Sequence, residues 1–547
     1  MEYLSHHTRV ESIEHMKNNE YDLLIIGGGI TGAGIALDAI TRGLSVCLIE
    51  MGDYAHGTSS RSTKLVHGGL RYLKQFEIRE VASLGQERAI VYENGPHVTT
   101  PEHMLLPFFK SGTFGPLSTS FGLKVYDTLA RVKKSEQRTM ITTEEVLNKV
   151  PFIKNNGLRG GGLYVEYRTD DARLTLEVIK EAAKFGAKVT NYVQAIDFNY
   201  HNKTITGVQA KDLLNDEVFN IKAKSIVNAT GPWVDTIRNI DHSNKNKHLQ
   251  LSKGAHLVFS QTDFPLKQSV YFDTPDKRMV FAIPRDNKTY VGTTDTEYEG
   301  DPNDLMLTQS DRDYILDAIE YIFPDLKLNE THIESSWAGV RPLIHEDGKN
   351  PSEISRKDEI WESDTGLLTI AGGKLTGYRK MAETVVNKVT KSLKEKNNIA
   401  FSKSKTIHLP ISGGHIGGSK NLKNYLETSS QTLIELGLSE NDALMLAKMY
   451  GSNINLLHDY IKENPTDIPT ALYAQLKYAI NYEMAITPID FFMRRNSNLL
   501  FNIQQVKNYK DQVIKLMQKE LNWTDTTTRV YEDELNHEIF IATHVKK

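Results

Sequence analysis

The sequence has one cysteine, Cys47, in 547 residues. A single thiol excludes an internal disulfide and every metal site built on paired cysteines, and its place in an apolar run marks it as a small buried hydrophobe. Long apolar stretches are also missing: no run reaches the roughly 18 residues that a membrane-crossing helix needs. The first twenty residues, with His6, His7, Glu11, Glu14 and His15, lack the apolar core of a signal peptide. Nor is there a basic excess. The net charge is −4, which argues against a nucleic-acid-binding surface. Repeats and low-complexity tracts are lacking too, and together these absences point to a cytosolic protein. What remains is an ordinary soluble composition, 39% apolar and 24% charged, in a chain long enough for two or three domains.

What is present starts near the N-terminus. Tyr21-Asp-Leu-Leu-Ile-Ile26 runs into Gly27-Gly28-Gly29-Ile30-Thr31-Gly32 and then into a helical pattern. Strand, tight turn and helix in that order place peptide N–H groups and the positive end of a helix dipole where a pyrophosphate can sit. Gly27 permits the turn, Gly29 lets the backbone approach the phosphates, and Gly32 lets the helix pack on the strand. A second strand, Ser45-Val-Cys-Leu-Ile49, ends in Glu50, eighteen residues beyond Gly32, where a carboxylate can accept bonds from an adenosine ribose.

Further along, helical patterns are expected over Glu77–Tyr92, Thr142–Val150 with a Thr142-x-x-Glu145 capping box, Asp171–Lys184 and Asp311–Tyr321. Val189–Asn199 and Thr206–Asp212 are predicted to pair, and Leu251–Thr296 reads as an antiparallel sheet that could face a substrate. Two more glycine turns follow strands, at Ala229-Thr-Gly231 and at Ala371-Gly-Gly373. Three such turns suggest one ligand threaded from several sides, as a buried flavin dinucleotide would be. Ser59–Lys64 offers hydroxyls and one ammonium to a pyrophosphate. Arg71, Arg341, Arg356, Lys374 and Arg379 lie in apolar or glycine-rich settings, and guanidinium forks in such places match carboxylate or phosphate oxygens. Beyond Lys403 the loop Gly413–Ser419 gives way to an almost wholly helical pattern, with a helix start at Ser439-x-x-Asp442, which puts a boundary near residues 400–420.

Ile26–Gly43 and Gly372-Gly-Lys-Leu-Thr-Gly-Tyr-Arg-Lys-Met-Ala382 resemble the two signatures of the FAD-dependent glycerol-3-phosphate dehydrogenases of the bacterial aerobic type. Ser60–Leu73, Thr169-Asp-Asp-Ala-Arg-Leu174, Asn228–Trp233 and Val291–Tyr298 fit the same family. The resemblance implies an α/β fold: an FAD-binding two-dinucleotide-fold domain over residues 21–400 with an antiparallel-sheet substrate layer. A polar segment, 1–20, precedes it, and an all-helical C-terminal domain, 401–547, follows. It implies FAD as cofactor, held by Gly27, Gly28, Gly29, Ile30, Thr31, Gly32, Glu50, Ser62, Thr63, Lys64, His67 and Gly231. Arg71, Tyr72, His256, Arg341, Arg356 and Lys374 become the substrate contacts, with His256, Arg341 and Lys374 catalytic. No metal is implied. The reaction implied is oxidation of sn-glycerol 3-phosphate to dihydroxyacetone phosphate, with electrons passed to a membrane quinone by a peripheral protein on the cytoplasmic face, and a homodimer is compatible with it. Phe121–Lys134, apolar with a basic end, suits an interfacial helix. For the proton on the C2 hydroxyl, His256 and His67 are both candidate bases. Two rival readings stand beside this one. A glycerol-3-phosphate oxidase would use oxygen, but oxidase relatives carry an insertion ahead of the C-terminal domain that is not evident here. A flavin-containing sensor would not need the full cationic set.

Overall fold

The computed structural model describes residues 3–67, 78–110, 112, 124, 136–346, 358–463 and 465–546. A six-stranded sheet sets the cofactor side, in the order Glu359–Glu362, Leu368–Ala371, Ile226–Asn228, Leu23–Ile26, Val46–Ile49, Lys188–Thr190. All neighbours are parallel except the first pair. The sequence dictates this burial: Leu23–Ile26 and Val46–Ile49 are continuous apolar runs, buried at every position, as strands covered on both faces must be. Helices Ile30–Thr41, Asp171–Lys184 and Tyr378–Asn397 share one core with the sheet. Gly34 lets two of them approach, since a Cβ there would lie 2.8 Å from the Tyr378 ring.

A four-stranded sheet lies against this unit. Val193–His201 and Thr204–Asp212 pair as antiparallel strands within it. The stretch expected to be one strand from Val189 is split at Tyr192, whose φ of 56° turns the chain, so that Lys188–Thr190 joins the parallel sheet instead. The polar N-terminal segment folds as the helix His6–Asn18, capped by Ser5, and buries Arg9 against Asp212 at 2.7 Å.

The third sheet has ten strands, among them Lys247–Ser260, Lys288–Gly292, Met279–Arg285, Thr99–Phe109 and Leu158–Thr169, with Ile333–Glu346 paired along Lys247–Ser260. It is antiparallel except where Ser269–Asp273 meets Thr99–Phe109. The helix starts read from sequence are present. Thr142 forms its capping box with Glu145, Asp170 accepts from Arg173 N, and Ser439 accepts from Asp442 N.

From Leu422 the chain is helical, ending in Ile503–Leu521 and Asp525–Thr543. These helices bury Leu472, Leu476, Phe491, Leu500 and Leu535 in one core with Met104, Tyr164 and Trp337 of the large sheet.

Candidate active site

The three glycine turns follow Leu23–Ile26, Ile226–Asn228 and Leu368–Ala371, three strands that are immediate neighbours and parallel, so all three open at one edge of one sheet. Ligands of open α/β sheets bind at such carboxyl edges. The first two turns touch: Gly27 has φ 114°, and a Cβ on it would lie 2.6 Å from the Ala229 carbonyl oxygen. A Cβ on Gly32 would collide with the Gly27 carbonyl, which is why the helix can start so close. Gly29 precedes the helix in extended conformation and offers no side-chain cap, and Gly29 and Thr31 are half-buried at its open end. Ser59 Oγ accepts from Ile30 N at 3.0 Å. Gly231, with φ 56°, has open space where its Cβ would be.

Glu50 ends the second strand, buried. Its two oxygens accept from Gly28 N at 2.6 Å and Gly52 N at 2.9 Å. Burial pushes its carboxyl pKa up, against the downward pull of those two N–H groups. A cradle with no room for a Cβ, a helix start whose cap residue has no side chain, and a buried carboxylate fit the pyrophosphate and ribose of a dinucleotide.

Ser62, Thr63 and Lys64 are fixed from below. Ser62 N and Oγ both donate to Asp171 Oδ2, at 2.9 and 2.6 Å. Lys64 Nζ pairs with Asp171 Oδ1 at 2.5 Å and donates to the Ser60 carbonyl at 3.0 Å, and the residue is 1% exposed. The ammonium expected beside a pyrophosphate is therefore neutralised inside the protein. Asp171 was legible only as part of the Thr169–Leu174 motif. Thr63 faces the other way, its Oγ1 3.0 Å from His256 Nε2.

His256 stacks on Trp337, its cross-strand partner, with ring centroids 4.5 Å apart and planes 7° from parallel. On its other side is Gly292, where a Cβ would overlap the imidazole. The residue is 1% exposed, and among the described residues its Nδ1 has no partner. Desolvation holds its pKa well below the usual histidine value, and Arg341 and Lys64 lower it further.

Arg341, on the strand Ile333–Glu346, donates from Nη2 to Thr293 Oγ1 at 3.2 Å and sits 3.5 Å from Asp295 Oδ1, its side chain 36% exposed. Gly254, two residues along the neighbouring strand from Arg341's partner Ser252, leaves it room: a Cβ there would crowd Thr293 and lie 3.0 Å from Nη2. Lys374, half-buried, opens the turn Leu375–Gly377 after Gly372 and Gly373, both with positive φ. Thr376 of that turn donates to the His67 carbonyl at 2.9 Å. His67 feels several charges. Desolvation is the first cause holding its pKa below the usual value; Glu166 opposes that, and Lys374, Arg341 and Arg88 add to it. The Thr376 bond ties His67 to the turn that Lys374 opens.

Arg379 does not join them. Its guanidinium is buried between Glu87 at 2.6 Å and Glu383 at 2.8 Å, a structural ion pair. Arg71, Tyr72 and Arg356 lie outside the described residues, as does the segment 121–134 apart from Lys124. Sequence reasoning passed over Trp337 and Gly254, which act on the site only across strands, and read Thr293 and Asp295 only as part of the Val291–Tyr298 motif.

The family model described as FAD dependent oxidoreductase matches residues 22–379, and that of the C-terminal domain of alpha-glycerophosphate oxidase matches 404–528. The aerobic glycerol-3-phosphate dehydrogenase of Bacillus subtilis is 57% identical over 533 residues, covering 96% of each chain. That of Staphylococcus aureus (strain USA300) is 54% identical over 536 residues, covering 97% of this chain and 96% of its own. Among solved structures, the glycerol-3-phosphate dehydrogenase from Bacillus halodurans complexed with FAD superposes with a TM-score of 0.86 at 46% identity, covering 99% of this chain and 98% of its own.

Proposed function

The chain belongs to the FAD-dependent oxidoreductases, in the aerobic glycerol-3-phosphate dehydrogenase family, and on that basis we propose that it oxidises sn-glycerol 3-phosphate to dihydroxyacetone phosphate and delivers the electrons to a quinone. One observation carries the reading: three glycine turns on adjacent parallel strands open at one edge of one sheet, the third leading into Lys374, with Glu50 buried against the first. We assign residues 21–400 to the cofactor and substrate unit and 401–547 to a helical unit, with 1–20 as an N-terminal segment.

Oxidation at C2 removes a hydride from the carbon and a proton from its hydroxyl. FAD, when bound, supplies the two-electron acceptor for the hydride. The chain's own residues supply the rest. Gly27–Gly32, including Ile30 and Thr31, would hold the pyrophosphate together with Gly231, Glu50 would take the adenosine ribose, and Ser62, Thr63 and Lys64 would serve the flavin half. The Arg341 fork and the Lys374 ammonium grip the dianionic phosphate, joined in this reading by Arg71, Tyr72 and Arg356. That grip, remote from C2, orients the reacting carbon.

Of the two histidines, His67 fits the role of proton acceptor better. It is exposed and tied to the Lys374 turn, whose Thr376 donates to its carbonyl, whereas His256 is sealed between Trp337 and Gly292 and steadies Thr63. A lowered pKa keeps His67 neutral, so flavin reduction should be flat at neutral pH and fall as pH drops through a value below the usual histidine range. His67→Gln should slow anaerobic flavin reduction by about 100-fold with flavin content unchanged. An unchanged rate there, with a slow His256→Gln, would return the role to His256.

A quinone acceptor dissolves in lipid, so a peripheral seat on the cytoplasmic face of the membrane is part of the same reading. Among the described residues no helix is long and apolar enough to cross a membrane. The test is an anaerobic titration. The purified protein should be yellow, bleach with glycerol 3-phosphate, and recover its colour faster with a quinone analogue than with oxygen. Peroxide formed in step with turnover without quinone would make it an oxidase. Failure to bleach would overturn the substrate and leave a sensor.

A further inference from the structure

The C-terminal helices grip the nucleotide loop through one buried carboxylate. Asp53 lies three residues beyond Glu50. Its Oδ2 accepts from Arg494 Nε and Arg495 Nη1, each at 2.5 Å, and its Oδ1 from Arg495 Nη2 at 2.8 Å and Asn191 Nδ2 at 3.1 Å. Both arginines are fixed in turn. Arg494 Nη2 donates to Asp490 Oδ1 at 2.7 Å, and Arg495 Nη2 to the Glu483 carbonyl at 2.8 Å. The loop that carries Asp53 folds back on the glycine turn: Ala55 N donates to the Gly28 carbonyl at 3.1 Å, and a Cβ on Gly28 would lie 3.0 Å from the Tyr54 ring and 2.9 Å from Glu50 Cβ. The same loop supplies Gly52 N to Glu50.

We propose that Arg494 and Arg495 are positioning residues for the adenosine half of FAD, holding Glu50 in place through Asp53. The inference rests on the reading that Glu50 takes the ribose. Two buried carboxylates this close repel one another, and two guanidiniums on Asp53 cancel that repulsion as well as fixing the loop. In the electrostatics of the site Asp53 pushes the Glu50 pKa up and Arg494 pulls it down. The helical region is thereby a working part of the cofactor site.

The test is release of FAD from the purified holoenzyme, followed by the rise of flavin fluorescence on dilution, with a thermal melt of each variant. Asp53→Asn and Glu50→Gln should each release FAD about tenfold faster than wild type, the loss of one charge-assisted hydrogen bond. Asp311→Asn is the control: its buried carboxylate bonds Lys253 at 2.6 Å in the large sheet, apart from the Asp53 clamp, so it should lower the melting point without faster release. Wild-type release from Glu50→Gln overturns the ribose reading and this inference with it. Fast release from Glu50→Gln beside wild-type release from Asp53→Asn overturns the inference alone, as does equally fast release from Asp53→Asn and Asp311→Asn. Should Asp53→Asn not fold, Arg495→Lys, which keeps the charge and loses the fork, takes its place with the same outcomes.

Discussion

At the nucleotide end the working groups are peptide N–H groups on glycine turns of a buried parallel sheet. At the substrate end they are Arg341, Lys374, His67 and His256, side chains brought in by two sheets. The first end is defined by atoms that must be missing: a Cβ has no place at Gly27 or Gly32. The second is defined by atoms that must be present and paired, such as the Arg341 fork on Thr293 and Asp295. Backbone construction fails as a whole when one residue changes. Side-chain construction loses rate step by step while the fold persists.

The sharpest way to break this contrast is Gly32→Val. Its Cβ would collide with the Gly27 carbonyl, so we expect about 3 kcal/mol lost in a denaturant melt and a colourless protein. A yellow Gly32→Val of wild-type stability would end the backbone account. At the other end, Arg341→Ala and Lys374→Ala should each lower kcat/KM by about 100-fold while the flavin absorbance per chain stays at the wild-type level. Loss of flavin from either would merge the two ends into one. Gly254→Ala is gentler: crowding Thr293 and Arg341 should raise KM about tenfold with kcat nearly retained, as read from steady-state kinetics.

The smallest effect lies outside both ends. His97 is buried, among the described residues neither ring nitrogen has a partner, and burial pushes its pKa down to about 4. An unfolded histidine takes up its proton near pH 6.5, so folded stability should fall as pH drops from there through about 4. His97→Phe should flatten that decline by roughly 1–3 kcal/mol in acid melts and leave activity at neutral pH unchanged.

The two ends were not equally legible in the sequence. Backbone demands are written locally, so Gly27, Gly29 and Gly32 after a strand, and Glu50 after the next, could be read directly with the dinucleotide they serve. The cations could be read only by their apolar settings, and that signal does not reveal a distant carboxylate. Arg379 is closed by Glu87, 292 positions away. Lys64 is closed by Asp171 in the same manner. The Asp53–Arg495 pair spans 442 positions and left no trace in composition or spacing. The helix His6–Asn18 was missed because its charged positions outnumber its apolar ones, and it is held by Arg9 on Asp212 as much as by Ile13 and Met16.

The order of strands in the parallel sheet also bears on how the protein is made. Leu23–Ile26 leaves the ribosome early with its neighbour Val46–Ile49, but its other neighbour Ile226–Asn228, and Leu368–Ala371 beyond that, come much later, and Asp53 meets its arginines only after residue 495 of 547 has emerged. A growing chain therefore shows the glycine turn with only Val46–Ile49 and the loop after it alongside until Ile226–Asn228 emerges. Flavin loading belongs to the nearly finished polypeptide, and a fragment truncated before residue 368 should be synthesised, but never coloured.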